Sequence, residues 1–155
     1  MRAIRLVLLF LLLQSGHRLQ AQFSLPLKHL DLTSGYGYRI HPVTGRFSFH
    51  SGIDLRARRD TVFSVMPGHI DFVGYDLVTG VHIRLISGDF TILYGHLSQV
   101  FLLPGDSVNS CMPLGITGSS GRVTGEHLHF SVSFRQVPVD PLLFLRGLTN
   151  NQLTN

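Results

Sequence analysis

Five polar side chains in three short stretches have the types and spacings that metal-assisted hydrolysis needs. The stretch GEHLHF, Gly125 to Phe130, places two imidazoles one residue apart. In a strand such residues share a face, so His127 and His129 project together, roughly 6–7 Å apart along the backbone. Leu128 and Phe130 then point the other way, into apolar packing. Two neighbouring imidazoles can both hold a metal, or one can ligate while the other handles protons. Alone the H-x-H pair is weak evidence, because surface and structural histidines produce the same spacing.

FHSGIDL adds His50 and Asp54 as H-x-x-x-D. On a straight strand these residues lie ~13 Å apart, whereas two atoms bound to one zinc must lie within ~4 Å of one another. For both to be ligands the chain has to bend, and Ser51-Gly52 offers the place because glycine accepts bulge and turn dihedrals. TILYGHLS supplies the third stretch. On a regular strand Ile92, Tyr94 and His96 share one face, which makes His96 an inward candidate and Tyr94 a support for that end of the site.

Taken together, His50, Asp54 and His129 would make a His₂Asp set that leaves one position of a tetrahedral zinc open to water. That is the catalytic type of site rather than the closed structural type. Zinc so placed brings the acidity of water to a pKa of about 7. His96 and His127 are then free for general acid–base work or for stabilising the tetrahedral intermediate. No H-E-x-x-H is present. Glu126, the only glutamate, adjoins His127, but strand alternation points it away.

The elements that must position these residues read as short strands. TVFSVMPG, HIDFVGYD, GVHIRLIS, DFTILYGHL, MPLGITG and HLHFSVSF are brief apolar runs, separated by Pro-Gly, Thr-Gly, Ser-Gly-Asp, Pro-Gly-Asp and Gly-Ser-Ser-Gly turns. This pattern predicts an all-β, antiparallel sheet or barrel-sandwich-like single domain with no amphipathic helix. At 155 residues, 44% hydrophobic and 14% charged, the chain suits one folded domain. Asp140-Pro141 is expected to close the domain at about residue 147, with 148–155 as a solvated polar tail.

The first 21 residues have the layout of a secretory signal peptide: Arg2 and Arg5, an apolar run from Leu6 to Leu13, then a polar region ending at Ala21. The run is shorter than the ~20 residues a spanning helix needs, so export with no stable membrane insertion after cleavage is expected. Residues 22–33 then form an approach segment. Three of the 13 Lys and Arg fall in the leader, leaving ten against 9 acids and no basic stripe that would suggest nucleic acid. The single Cys111 has no disulfide partner within the chain and reads as a small apolar residue.

In order, SGYGYRIHPVTGRFSFHSGIDL, YGHLS, PGDSV, GITGSSGRVTGEHLHF and VDP resemble the LytM/lysostaphin-type zinc endopeptidases, which cut peptidoglycan peptides. The similarity runs from about Ser34 to Leu145. It implies the duplicated hybrid motif fold, a β-rich sheet with a long open groove whose loops select the cell-wall peptide. It further implies zinc on His50, Asp54 and His129, with catalytic roles for His96 and His127. The family often has proline where Glu126 stands, a departure that removes no ligand. A long propeptide, coiled coil or wall-binding module, carried by many relatives, is not seen, so targeting has to come from the domain itself or from a protein partner.

The resemblance thus implies an exported, periplasmic or secreted zinc endopeptidase acting on peptidoglycan cross-links or stem peptides. The competing readings are a non-hydrolytic wall-binding or amidase-activating module and a metallopeptidase of a Gly-rich protein. Arg39 and His41 are further candidates for the groove, Arg39 because its fork suits a substrate carboxylate. Gly118 to Gly121 reads as a groove-lining turn rather than a phosphate loop.

Overall fold

A computed structural model of the protein describes residues 23–40 and 45–153, with side chains described as far as 149. The leader and His41 lie outside the described residues. Among those described, no helix is long and apolar enough to cross a membrane.

The described residues form twelve strands, all paired antiparallel: β1 (Leu32–Ser34), β2 (Gly37–Ile40), β3 (Phe47–His50), β4 (Gly52–Arg56), β5 (Thr61–Phe63), β6 (Gly68–Asp76), β7 (Gly80–Ser87), β8 (Phe90–Val100), β9 (Ser107–Val108), β10 (Pro113–Thr117), β11 (His127–Phe134) and β12 (Val137–Val139). The main sheet runs β1-β4-β11-β8-β7-β6-β9, with β10 bridging β5 and β8 and β12 added to β11. The hairpin β2–β3 forms a separate two-stranded sheet. The expected all-β antiparallel class is observed.

Period-2 alternation places the core. In β11, Leu128, Phe130 and Val132 are buried on one face while His127, His129 and Ser131 are only partly covered on the other. Ile53 and Leu55 of β4, Ile92 and Tyr94 of β8, and Ile83 and Leu85 of β7 join the same core. The opposite face of the same strands is left for the site.

The strand β8 breaks this rule. Its pairing with β7 runs Ile83↔Tyr94 and then Val81↔Leu97, so β8 carries one extra residue. The surplus coincides with His96, whose φ is +60°, a conformation uncommon for a residue with a Cβ and typical of bulges beside functional sites. The phase shifts by one: Tyr94 and Leu97 both reach the core, and His96 is released to the groove face. The expectation that Tyr94 and His96 share a face is therefore corrected. Tyr94 is fully buried against Phe130, with ring centroids 5.5 Å apart, and its hydroxyl accepts a hydrogen bond from Val65 N at 3.1 Å. Burial pushes its phenol well above the ordinary value, so it stays protonated. Tyr94→Phe is expected to cost about 1–3 kcal/mol, because a buried N–H loses its acceptor. Thermal melts should show the loss while metal content and turnover stay put; a fall in turnover at unchanged stability would return Tyr94 to the site.

A second correction concerns the C-terminal end, where a helix, α1 (Pro141–Leu153), forms although no amphipathic helix was expected. Asp140 caps it, its Oδ1 accepting from Leu142 N at 2.8 Å, and Pro141 takes the first helical position. Leu145 enters the core while Leu142, Phe144 and Leu148 pack against it. The apolar residues fall at helical spacing over too few turns to stand out in the sequence.

Candidate metal centre and groove

Ser51 is the single residue between β3, in the small sheet, and β4, in the large one. The chain changes sheets there, which brings His50 and Asp54 together despite their separation on a straight strand. Gly52 is required for a reason other than its dihedral freedom. A Cβ at this position would lie 2.7 Å from His129 Cε1 and 2.7 Å from Phe130 O. Gly52→Ala is expected to displace the His129 ring, because the backbone oxygen beside it cannot yield cheaply. Zinc affinity should fall by at least about tenfold, the scale on which misplaced ligand support acts, in a competition titration against a chelator. Wild-type affinity would refute this packing constraint.

Pairing of β11 with β4 sets His129 opposite Asp54, and pairing with β8 sets it opposite Gly95. His129 Nδ1 is 2.9 Å from Asp54 Oδ1 and 3.2 Å from His50 Nε2, and His50 Nε2 is 3.3 Å from Asp54 Oδ1. These three donor atoms form a small triangle. Two ligands bound tetrahedrally at ~2.0–2.1 Å would be separated by roughly 3.3 Å, so the residues fit a zinc-sized ion. His50 Nδ1 donates to Gly35 O at 2.8 Å, which leaves the Nε2 lone pair directed at the other two donors.

The protonation states suit ligation. Burial opposes the charge of Asp54, yet the polar ring nitrogens of His129 and His50 beside it outweigh that and hold the carboxyl well below its ordinary range. Burial, chiefly, pushes His129 down despite the Asp54 carboxylate beside it. An ionised carboxylate and neutral imidazole are the forms that bind metal. The second Asp54 oxygen, Oδ2, accepts from Arg39 Nη2 at 3.4 Å.

The two remaining histidines stand beside the triangle with a common orientation. His96 Nδ1 donates to Ser120 O at 2.8 Å, and His127 Nδ1 donates to Gly125 O at 2.8 Å. A carbonyl only accepts, so the ring proton is on Nδ1 and each Nε2 carries a lone pair. Their centroids are 4.6 Å apart, and His127 Nε2 lies 3.6 Å from Asp54 Oδ1. Burial first, then the neighbouring histidines, pushes His96 down to about 4 despite the Ser120 carbonyl; it is neutral at neutral pH.

All five polar residues singled out from the sequence line one groove of ≈ 490 Å³. Arg39 lines it as well, but its guanidinium is already engaged with Asp54. The Gly118–Gly121 turn is absent from the lining and acts from behind. Ser120 Oγ donates to Leu97 O at 2.8 Å and accepts from Val81 N at 2.9 Å, fixing the carbonyl that holds His96. Glu126 is turned away as expected, accepting from Thr117 Oγ1 at 2.9 Å and from Arg59 N. Arg122, Val123 and Thr124 line the groove without having been distinguished in the sequence. The available signal was their place in the loop just before His127.

The model of the family described as peptidase family M23 matches residues 48–141, which hold the whole donor triangle and both flanking histidines. The chain belongs to peptidase family M23. The DD-carboxypeptidase/endopeptidase Mpg of Neisseria meningitidis serogroup B is 38% identical to this M23 chain over 120 residues, covering 76% of it and 27% of Mpg. A zinc containing peptidase from Vibrio cholerae superposes with a TM-score of 0.72 at 31% identity, covering 78% of this chain and 39% of that one. The catalytic domain of the antimicrobial peptidase lysostaphin from Staphylococcus simulans gives 0.68 at 30% identity, covering 76% of this chain and 92% of that domain. The M23 chain spans about a quarter to a third of the length of the curated relatives it matches.

Proposed function

We propose that this M23 chain is an exported zinc-dependent endopeptidase that hydrolyses peptide cross-links or stem peptides of peptidoglycan. The observation that carries the reading is the His50–Asp54–His129 triangle beside two further histidines, each held through Nδ1 by a backbone carbonyl, in one open groove. Family membership and the names of the relatives support it.

Zinc on the triangle would polarise the scissile carbonyl and make the attacking water acidic. The chain supplies the rest. His96, kept neutral by burial, accepts the proton of the water at Nε2. The His96 and His127 rings are adjacent, so a proton gained at this pair is at hand for the departing amine. The Ser120 and Gly125 carbonyls keep each ring in the orientation that makes this exchange possible. Arg39 holds the outer oxygen of Asp54 and so fixes the carboxylate plane.

Digestion of purified sacculi decides the matter. Soluble muropeptides are expected, lost with a chelator and regained with zinc. A protein that binds zinc yet leaves sacculi intact would sink the reading in favour of a non-hydrolytic module. Cleavage of oligoglycine peptides alone would sink the cross-link assignment.

A further inference from the structure

The groove has an order across the sheet. Asp54 on β4, His129 on β11 and Gly95 on β8 are consecutive cross-strand partners. On the β4 side the hairpin β2–β3 contributes Arg39, Ser48 and His50 to the lining. The other side is built by Val78 and Thr79, in the β6–β7 turn, and by residues 122–124. That second wall is tightly tied: Arg122 N donates to Val78 O at 3.1 Å, His96 N donates to Thr79 O at 2.8 Å, and a Cβ on Gly121 would meet Gly80 N at 2.4 Å. From one side to the other the sequence is metal triangle, proton-handling histidines, then Arg122.

The charges in this groove are unbalanced in an informative way. Among the described residues Asp54 is the only carboxylate lining it, and that carboxylate is taken by His50, His129 and Arg39. Arg122 is exposed and its side chain has no hydrogen-bond or ion-pair partner among the described residues. A guanidinium fork with no internal partner, fixed at the backbone on a rigid wall, suits a carboxylate brought by a ligand.

The geometry points to Arg122 as the residue that recognises a free carboxylate on the amine side of the scissile bond. The inference rests on the endopeptidase reading above. With the carbonyl half at the triangle, the amine departs past His96 and His127, towards the Arg122 wall. In a link between D-alanine and the D-centre of a diamino diacid, the carbon bearing the leaving nitrogen also bears a free carboxylate. A C-terminal D-alanine has the same feature, whereas a residue inside a glycine bridge has none. Arg122 therefore sorts substrates by a charge carried on the carbon attached to the reacting nitrogen.

Two cross-linked peptides that differ only in this group, carboxylate against carboxamide, give the test with the full zinc-loaded chain. The wild type should favour the carboxylate by about ten- to a hundredfold in kcat/KM, the scale of a charge-assisted bond. Arg122→Gln should bring the ratio near one, and Arg122→Lys should retain part of it. A ratio unchanged in Arg122→Gln overturns the assignment. Calorimetric binding of the released amine-side peptide, as acid and as amide, supplies a readout independent of turnover. Acid-selective binding lost in Arg122→Gln upholds the site even if neither substrate is cut, an outcome that would sink the endopeptidase reading alone. Equal wild-type binding of acid and amide overturns the carboxylate site.

Discussion

Asp54→Ala is expected to lose zinc and, with it, essentially all turnover. Asp54 is the only anionic member of the triangle, within 2.9–3.3 Å of His129 Nδ1 and His50 Nε2. Its replacement leaves two neutral imidazoles, whose rings no longer have a carboxylate to orient them. Outer partners of metal ligands alone change affinity by about 10–100-fold, so removing a direct ligand together with its charge should exceed 100-fold. The substitution also strips Arg39 of its only side-chain partner among the described residues, and Arg39 Nε is already buried without one. Some loss of stability should accompany the loss of metal. Asp54→Asn separates the two effects, since it keeps shape and one oxygen but not the charge. Metal content by elemental analysis, with thermal melts of the zinc-free proteins, makes the comparison. One zinc retained per chain at wild-type affinity in Asp54→Ala would remove this residue from the centre.

Legibility in the sequence followed the regularity of the backbone. The alternation of Leu128 and Phe130 against His127 and His129 was readable because β11 is a regular strand. The site end of β8 was not, since the extra residue at His96 leaves no mark in the residue types and reverses the side on which Tyr94 falls. His96 reaches the groove for a reason other than the one expected: unbroken alternation from Tyr94 would have sent it to the core. The bend after His50 was foreseen from distance alone, but the need for glycine at 52 comes from the ring of His129, 77 positions later. Such long-range contacts are invisible to local pattern. The same holds for the carbonyls of Gly35, Ser120 and Gly125, since any residue carries one. Asp140-Pro141, by contrast, did announce a helix as a cap followed by proline, and was read only as an ending.

His96→Ala tests the division of labour within the groove, because it should spare the metal while removing the chemistry. His96 is outside the group of donor atoms that can share an ion, and its ring centroid is 5.9 Å from that of His129. Zinc content is therefore expected to stay near one per chain. Turnover should fall by about 10²–10⁴-fold, the usual contribution of a positioned acid or base. The backbone at His96 is held independently, by its own N–H on Thr79 O, so the bulge does not depend on the ring. His96→Asn, whose side chain tolerates the positive φ, guards against a purely conformational cause. If both variants keep zinc and lose kcat, the ring is needed for proton transfer rather than for shape. If either loses zinc as Asp54→Ala does, His96 belongs to the metal centre, and the separation of the groove into a binding triangle and a proton-handling pair is wrong.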